Sequence, residues 1–594
     1  MDYRYQQKVI FQSVDEAVAL IKDGDTVALG GFWLVRNPLA LVEALVKRGA
    51  RDLTILAHGS GLALEPLIAA GLVKKVIFSF ASLDIFGLPP FFRKAVEEGQ
   101  IEWEEWTALR MMQALDAGRQ NLPSLVMQPP WGSDFVEETD QFKLITCPFT
   151  GTRLGMMRNI QPDVALIHAQ QADENGNILI QGGRGNDGLL IGAAKQTIVS
   201  VEEIVPVGGF SSDSRSLIIP HFLVSRICLA EGGAYPTSCM PYYITDYWQL
   251  SHALKDAKQS GTYGKLRQPE GQNVRERISG LKKFCQVDVI EVERKIKEQS
   301  RSPELPEESY TADELMACAM AAELKDHMVC TVGSNTPLSM VAYLLAKKTH
   351  APNLVLIPFC GLNDVPAFPV TLSLAEVFSY KLSTSHWGIE DLWQWLYEKR
   401  LVAVEFGSTA QIDLYGRINN SIIGSREKIK VRLPGQAGLA DVMNMHHNAF
   451  YYITRHEKRR LVERVDFASG GKQFFSRDRF PETGQPDGSF KVITNMGIFK
   501  LDPETKMLQL THLHPGVTLE ELQEHTGFPV RTAGDVEITP APTKDQLRLI
   551  RNEIDPMGFR RLEFASGDER LRLIRDILDK EQQLLFDRPL FRFS

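Results

Sequence analysis

The stretch that decides the fold spans residues 27–59, VALGGFWLVRNPLALVEALVKRGARDLTILAHG. It is typical of an apolar strand, a glycine turn, a helix that begins near Pro38, and a second apolar strand. Residues 329–361, VCTVGSNTPLSMVAYLLAKKTHAPNLVLIPFCG, repeat this order, with Pro337 near the helix start. Neither apolar run alternates with polar residues, which favours parallel strands buried on both faces. We therefore predict two related α/β units.

A second repeated motif follows in each unit. Gln171 begins QADENGNI and Gln411 begins QIDLYGRI, which share the pattern Q-x-D-x-x-G-x-I. Two matches in the same order indicate an internal duplication. The fold class that we predict is α/β, with two related open halves and largely parallel sheets. We expect a first half over residues 1–285, a charged linker over 286–310, a second half over 311–556 and a helical extension over 557–594.

Composition limits the class of protein. The 594 residues are 44% hydrophobic and 24% charged, as in soluble globular proteins. A net charge of −8 without a long basic run argues against nucleic acid as a partner. No apolar segment is long enough to cross a membrane. The seven cysteines form no CxxC pair and fit reduced thiols. We expect a cytoplasmic protein that binds neither nucleic acid nor a membrane.

Several long motifs resemble one enzyme family. Residues 23–32, DGDTVALGGF, resemble the N-terminal signature of family I CoA-transferases. Residues 162–183, PDVALIHAQQADENGNILIQGG, resemble the α subunit of glutaconate CoA-transferase. Residues 410–424, AQIDLYGRINNSIIG, and residues 514–530, HPGVTLEELQEHTGFPV, resemble its β subunit. The resemblance covers almost the whole chain and implies two fused subunits with an acyl-CoA site between them.

The resemblance also sets expectations about ligands and partners. Coenzyme A is expected as part of an acyl-CoA substrate. No tightly bound cofactor and no metal is implied, since the sequence shows no P-loop, no dinucleotide fingerprint and no metal-ligand spacing. Because the resembling enzymes are multimeric, we expect a homo-oligomer.

The turn I-P-F-C-G at residues 357–361 departs from the family pattern. In the resembling transferases a glutamate in this turn attacks the thioester. Here Phe359 takes its place, followed by Cys360 and Gly361, and the nearest carboxylate along the chain is Asp364. Phenylalanine cannot be a nucleophile. Cys360 could be a nucleophile or a thiol acid/base, or only a small buried hydrophobe, and both interpretations stay open.

The turn FASLD at residues 80–84 resembles a turn of hydrolases that cleave ring-derived β-oxo acyl-CoAs. Ser82 and Asp84 could hold a substrate carboxylate or a water there, or they could only satisfy their own backbone. Those hydrolases use a further acid in the region that resembles residues 101–110, and by our alignment Ala108 takes its place.

Two glycine-rich segments and two histidines complete the candidate site. The loop LPGQAGLAD at residues 433–441 resembles a β-subunit loop whose backbone N–H groups approach the thioester. The alternative is that these glycines only turn strands into helices. Either His58 or His168 could be a base near the thioester or a hydrogen-bonded structural residue. The predicted binding residues are Gly30, Gly31, Phe359, Gly361, Gly435, Gln436, Ala437 and Gly438.

From these residues we expect an acyl-CoA-processing enzyme with an altered reaction. That reaction is hydrolytic or decarboxylating cleavage of a dicarboxylic or β-oxo acyl-CoA, with Cys360, Ser82 and Asp84 as candidate catalytic residues. Two alternatives stay open. One is CoA transfer by a displaced carboxylate, and the other is binding of CoA esters without catalysis.

Overall fold

The structure is a computed structural model of the chain. It describes residues 10–59, 61–210, 215–299, 309–333, 336–358, 361–446, 448–471 and 489–593. Phe359 and Cys360 lie outside the described residues, so the roles expected for them stay predictions.

The first half is built on a ten-stranded sheet, beside which lies a three-stranded sheet. The strands are β1 (Ile10–Phe11), β2 (Thr26–Leu29), β3 (Leu53–Ala57), β4 (Val73–Phe78), β5 (Glu102–Glu105), β6 (Ser124–Met127), β7 (Phe142–Thr146), β8 (Arg153–Arg158), β9 (Val164–Asp173), β10 (Ile178–Ile180), β11 (Gln196–Val205), β12 (Leu217–Ile219) and β13 (Arg226–Leu229). Eight strands of the large sheet lie in the order β1-β13-β11-β9-β2-β3-β4-β5 and run parallel. Strands β10 and β12 add an antiparallel extension at β9.

Helices cover both faces of this sheet. They are α1 (Val14–Val18), α2 (Leu39–Arg48), α3 (Gly61–Ala69), α4 (Pro90–Glu97), α5 (Ala108–Arg119), α6 (Phe135–Glu138), α7 (Asp187–Ala193), α8 (Tyr247–Ser260), α9 (Val274–Cys285) and α10 (Val289–Gln299). Val27 and Leu29 of β2 enter one hydrophobic cluster and Ala28 enters another. Burial on both faces explains why the apolar run does not alternate.

The second half contains an eight-stranded sheet and three small sheets. Its strands are β14 (Val329–Thr331), β15 (Val355–Ile357), β16 (Leu362–Asn363), β17 (Ser385–His386), β18 (Val404–Ser408), β19 (Gln411–Asp413), β20 (Ile418–Asn419), β21 (Ile422–Gly424), β22 (Ile429–Arg432), β23 (Asn448–Ile453), β24 (Leu461–Val462), β25 (Phe490–Thr494), β26 (Gly497–Leu501), β27 (Leu508–Leu513) and β28 (Arg531–Ile538). The large sheet has the order β15-β14-β18-β23-β25-β26-β27-β28 and is parallel from β15 to β25. Strand β26 pairs antiparallel with both neighbours.

The helices of the second half surround this sheet and continue into the C-terminal tail. They are α11 (Ala312–Ala321), α12 (Pro337–Lys348), α13 (Ala375–Leu382), α14 (Ile389–Leu392), α15 (Leu439–Met445), α16 (Leu519–His525), α17 (Lys544–Leu549) and α18 (Gly567–Leu585). Single turns of 3-10 helix lie at Asp84–Phe86, His221–Leu223 and Phe559–Glu563, and π-helical turns lie at Trp393–Tyr397 and Ile550–Ile554. No helix in the described part of the chain is both long and apolar enough to span a bilayer.

The two repeated motifs adopt matching structures. The first repeat forms β2-α2-β3 in one half and β14-α12-β15 in the other. The second forms a hairpin in each half, where Asp173 accepts a hydrogen bond from the Asn177 N–H at 2.8 Å and Asp413 accepts one from the Arg417 N–H at 3.1 Å. The α/β prediction with largely parallel sheets is confirmed.

Part of the segment expected as a linker is helical. Residues 289–299 form α10, in which Val292 and Ile296 are buried. These two residues lie four positions apart, so they share one face of a helix, and this spacing is the signal that the charged composition obscured. Residues 300–308 lie outside the described part.

Candidate active site between the halves

A cavity of about 1000 Å³, counted with its open mouth, lies between the two halves. In the first half, His58 and Ser79 directly follow β3 and β4 and line it. In the second half, Thr331 and Ile357 end β14 and β15 and line the opposite side. Ligands of open α/β sheets bind at such carboxyl ends of parallel strands. The volume suits a small-molecule site.

A carboxyl group that sequence reasoning missed lies on the cavity wall. Glu405 of β18 pairs with Thr331 of β14, so the two side chains are neighbours across the sheet. Glu405 Oε2 accepts hydrogen bonds from Thr331 Oγ1 at 2.7 Å and from the Tyr397 hydroxyl at 2.9 Å. Burial raises the pKa of Glu405, and the two hydroxyl groups oppose this rise in part. Its side chain is nevertheless reached from the cavity, because the residue is only partly buried.

His58 lines the same cavity and is 3% exposed. Burial lowers its pKa to about 4, and the Ala108 backbone offsets only part of this effect. Neither ring nitrogen of His58 lies at hydrogen-bonding distance and angle from a partner among the described residues. Buried polar atoms without a partner are uncommon and point to a bound water, a ligand or a catalytic role.

The glycine-rich loop lies on the cavity wall, but its N–H groups bind other parts of the protein. Gly435 donates to Asn420 O at 3.0 Å, Gln436 to Glu105 Oε1 at 2.9 Å, and Ala437 to Ser79 O at 3.1 Å. These three N–H groups are therefore not directed at a thioester. The loop residues Gly435, Gln436, Ala437 and Gly438 do line the cavity, so binding of an acyl-CoA by them stays a prediction.

The Gln436 side chain is the polar group of this loop that remains available. It is 0% exposed, and neither its amide nitrogen nor its amide oxygen has a hydrogen-bond partner among the described residues. An amide N–H beside a cavity can bind a thioester oxygen or a pantetheine amide.

Glu105 of the first half holds this loop in place. Its carboxylate accepts hydrogen bonds from the Gln436 N–H and from Ser421 Oγ at 2.8 Å. It also forms a buried ion pair with Arg432, whose side chain is 1% exposed. Ala108, which our alignment puts in the place of the hydrolases' further acid, lines the cavity with only a methyl group.

A second cavity of about 920 Å³ adjoins the first. Trp33, Val332, Gly333 and Thr336 line both, so the two form one cleft. The second cavity is mostly apolar, and burial raises the pKa of Glu376 on its wall to about 7. The described residues that line the two cavities include no lysine or arginine.

The structure places Asp84 on the wall of the second cavity. Burial raises its pKa to about 6, and Arg570 of the C-terminal tail opposes this. The Asp84 backbone N–H donates to Ser82 Oγ at 3.0 Å, which is the self-contained turn given above as the alternative. The catalytic roles of Ser82 and Asp84 stay predictions.

Three predicted glycines are not among the described residues that line the two cavities. A Cβ at Gly30 would lie 2.6 Å from Ile167 Cδ1, and one at Gly31 would lie 2.5 Å from Val35 O. Gly361 has φ +80° and packs against the Trp387 backbone. Close packing thus accounts for these glycines, and contact with CoA stays a prediction.

Two other candidates are not brought to the cavity. His168 is held by Ser200 Oγ at 2.9 Å and Glu202 Oε1 at 2.8 Å, as a structural histidine is. With Cys239, His168 and Glu202 form a compact buried cluster, but these hydrogen bonds already occupy the imidazole nitrogens. Asp364 does not line either cavity among the described residues.

With the geometry established, comparison with known proteins identifies the family. A sequence model described as Coenzyme A transferase matches residues 11–230 and 314–525. The chain belongs to the coenzyme A transferase family. This confirms the resemblance drawn from the motifs.

The relatives of this chain include both subunits of a two-subunit CoA-transferase. The first of the two subunits of 3-oxoadipate CoA-transferase from Pseudomonas knackmussii is 35% identical over 229 residues, 38% of this chain and 80% of its own length. The second of those two subunits is 32% identical over 251 residues, 41% of this chain and 93% of its own length. The chain therefore joins the counterparts of both subunits in one polypeptide.

The relatives include hydrolases, and solved structures match the fused fold. The cholesterol ring-cleaving hydrolase IpdA subunit of Mycobacterium tuberculosis is 31% identical over 263 residues, 42% of this chain and 89% of its own length. The acyl-CoA transferase YdiF of Escherichia coli O157:H7 has a TM-score of 0.65 at 16% identity, covering 90% of this chain and 95% of its own. The latter likeness shows the fold alone.

Proposed function

We propose that this enzyme of the coenzyme A transferase family cleaves a dicarboxylic or β-oxo acyl-CoA by hydrolysis or decarboxylation. The single observation that carries the proposal is His58, a buried neutral imidazole on the cavity wall whose nitrogens lack side-chain partners among the described residues. Of the two cleavage reactions, hydrolysis requires a base that activates water, so His58 favours hydrolysis of a β-oxo acyl-CoA.

In this proposal the chain's own groups divide the work. His58 takes a proton from a water, and the resulting hydroxide adds to the β-carbonyl carbon. The imidazolium that forms is buried, so it depends on the negative charge that develops on the substrate at the same time. Gln436 lines the cavity with an amide that has no partner among the described residues, and in this proposal it donates an N–H to the thioester oxygen, which takes up the charge when the bond between the α- and β-carbons breaks. The apolar second cavity accommodates the distal part of the acyl group.

Transfer of CoA through a displaced carboxylate is a second candidate, and Glu405 is the observation that favours it. A carboxylate on the wall of a thioester cavity could attack the carbonyl carbon. An attacking carboxylate must be ionised, whereas burial raises the pKa of Glu405. Because burial disfavours the ionised form of Glu405, we rank cleavage above transfer.

The test is substitution of His58 by glutamine, which keeps a similar size and can no longer act as a base. We expect the rate of acyl-CoA cleavage to fall about 10²–10⁴-fold. The dissociation constant for the same acyl-CoA should stay within about threefold, because the substitution removes no charge at neutral pH. His221→Gln is the matched control, since His221 lies in an exposed turn. Equal cleavage by His58→Gln and the wild type would refute the proposed role.

A further inference from the structure

We propose that Glu405 is the catalytic acid that delivers a proton to the α-carbon of the cleaved acyl-CoA. The inference rests on the proposed function, since a nascent carbanion next to the thioester is common to both cleavage reactions. It assigns a role to a residue that neither the repeated motifs nor the predicted site residues include.

The proton and electron balance of the hydrolytic reaction is complete with groups in the cavity. Water loses a proton to His58 and adds to the β-carbonyl carbon. The bond between the α- and β-carbons then breaks, and its electron pair stays with the α-carbon as a thioester enolate. The β-carbon leaves as a carboxylic acid, and Glu405 transfers its proton to the α-carbon. The imidazolium proton then restores the carboxyl group through solvent.

The decarboxylating reaction uses the same proton. The bond to the departing carboxylate carbon breaks, carbon dioxide leaves, and the electron pair remains conjugated with the thioester. Glu405 protonates that carbon, or its vinylogous position in an unsaturated chain, and takes up a proton from solvent. No oxidant, reductant or metal is needed in either case.

The two oxygens of Glu405 lie in different surroundings. Oε2 accepts from Thr331 Oγ1 at 2.7 Å and from the Tyr397 hydroxyl at 2.9 Å, so it is the acceptor oxygen. Oε1 lies toward Gly333, where a Cβ would be 3.4 Å away. Gly333 lines both cavities and Glu405 lines the first, so no side chain at Gly333 stands between Oε1 and that cavity.

This arrangement suits an acid rather than a nucleophile. Burial raises the pKa of Glu405, and the two hydroxyl donors stabilise the carboxylate that proton transfer leaves. The titratable groups that interact with Glu405 are Tyr343, Tyr397 and Tyr451, and each is held neutral by burial. His58 shares the cavity and is also neutral at physiological pH. No cation among the described lining residues draws the proton from Glu405.

The experiment measures the reverse of the protonation step, which requires no cleavage. Wild-type protein and Glu405→Gln are incubated with acetyl-CoA and with propionyl-CoA in D₂O, and deuterium at the α-carbon is followed by mass spectrometry. We expect wild-type protein to catalyse exchange and Glu405→Gln to be at least about 100-fold slower. Affinity for the same thioesters, measured by calorimetry, should change less than about threefold.

A matched control comes from another buried acid. Glu563 accepts a hydrogen bond from the Tyr452 hydroxyl at 2.7 Å and lines neither cavity among the described residues. Glu563→Gln should therefore retain wild-type exchange. A second variant, Tyr397→Phe, removes one donor to the carboxylate and so raises the pKa of Glu405. Because exchange needs the ionised form, its pH profile should move to higher pH, a change that a merely structural role for Glu405 does not produce.

The outcomes separate this inference from the function on which it rests. Wild-type exchange that Glu405→Gln retains, or no exchange by wild-type protein, overturns the inference. A covalent CoA adduct on Glu405, detected by peptide mass spectrometry, also overturns it and assigns the nucleophile of a transferase. If exchange depends on Glu405 but no acyl-CoA is cleaved, the inference stands and the proposed cleavage fails. Should Glu405→Gln not fold, the pH shift of Tyr397→Phe decides, and an unchanged profile overturns the inference.

Discussion

Glu105 is predicted to couple the stability of the interface between the halves to acyl-CoA binding. It lies in the first half, yet it holds Ser421, Arg432 and the Gln436 N–H of the second half. Its side chain is 0% exposed and that of Arg432 is 1% exposed. Replacement by alanine leaves a buried guanidinium and a buried N–H without their acceptor. We therefore expect Glu105→Ala to cost about 3–5 kcal/mol.

Graded variants test the origin of this cost. Glu105→Gln keeps an acceptor oxygen but removes the charge, so we expect a smaller loss of about 1.5–3 kcal/mol. The neighbouring Glu104 is the control, because its partners Lys75 at 2.6 Å, the Trp106 indole N–H at 2.8 Å and Arg158 all lie in the first half. Glu104→Gln keeps an acceptor oxygen for Trp106 and loses two partly exposed ion pairs, so it should cost about 1 kcal/mol.

The assays are chemical denaturation followed by circular dichroism, and calorimetric titration with an acyl-CoA. Because Glu105 positions the loop that lines the cavity, Glu105→Ala should also weaken acyl-CoA binding by at least about tenfold, a loss of about 1.4 kcal/mol. Two results would refute the reasoning. One is equal stability of Glu105→Ala and Glu104→Gln. The other is a destabilised Glu105→Ala that binds acyl-CoA with unchanged affinity.

Three further predictions concern other buried groups. Burial raises the pKa of Glu65 from 4.5 to about 7, so the folded state holds a proton that the unfolded chain releases. The free energy of unfolding should therefore fall as the pH rises from about 5 to 7. Glu65→Gln should flatten this slope in denaturation midpoints measured across that range, and an unchanged slope would contradict the assignment. Gln436→Leu should weaken acyl-CoA binding about tenfold in calorimetric titrations. It should not lower the melting temperature, because the amide has no partner to lose among the described residues. A large loss of stability would show that the amide is hydrogen-bonded within the protein. Glu581 of the C-terminal tail accepts hydrogen bonds from the Leu372 N–H at 2.6 Å and the Ser373 N–H at 2.8 Å. Glu581→Ala should therefore lower the free energy of unfolding by at least about 2 kcal/mol in chemical denaturation. A loss under about 0.5 kcal/mol would show that the tail does not stabilise the second half.

The sequence predicted what depends on local pattern. Strand, glycine turn and proline-led helix recur within about thirty residues in each half, and this local order was sufficient to predict both α/β units. The hairpin motif was equally informative, because Gly176 and Gly416 have φ values of +91° and +72° that favour glycine. These features depend on residues close in the chain.

The site depends on contacts between distant residues, which local pattern does not reveal. Glu105 and Gln436 are 331 positions apart, and their hydrogen bond uses an N–H that the sequence pattern assigned to the ligand. Glu405 left a signal, a single acid inside the apolar run Val404-Glu405-Phe406, but only the pairing of β18 with β14 brings it to Thr331. The carboxylate nearest to Phe359 along the chain is Asp364, whereas the sheet brings Glu405 from β18, which lies two strands from β15.

We propose that this enzyme cleaves its acyl-CoA instead of passing CoA to another acid. The most direct measurement is mass spectrometry of glutaconyl-, glutaryl- and β-oxo acyl-CoAs incubated with the protein in H₂¹⁸O, with and without excess acetate. We predict a shortened thioester whether or not acetate is present, accompanied by carbon dioxide or by an acid that carries ¹⁸O from water. Acetyl-CoA that forms from glutaconyl- or glutaryl-CoA only when acetate is added, with no shortened thioester, would contradict the account and establish CoA transfer.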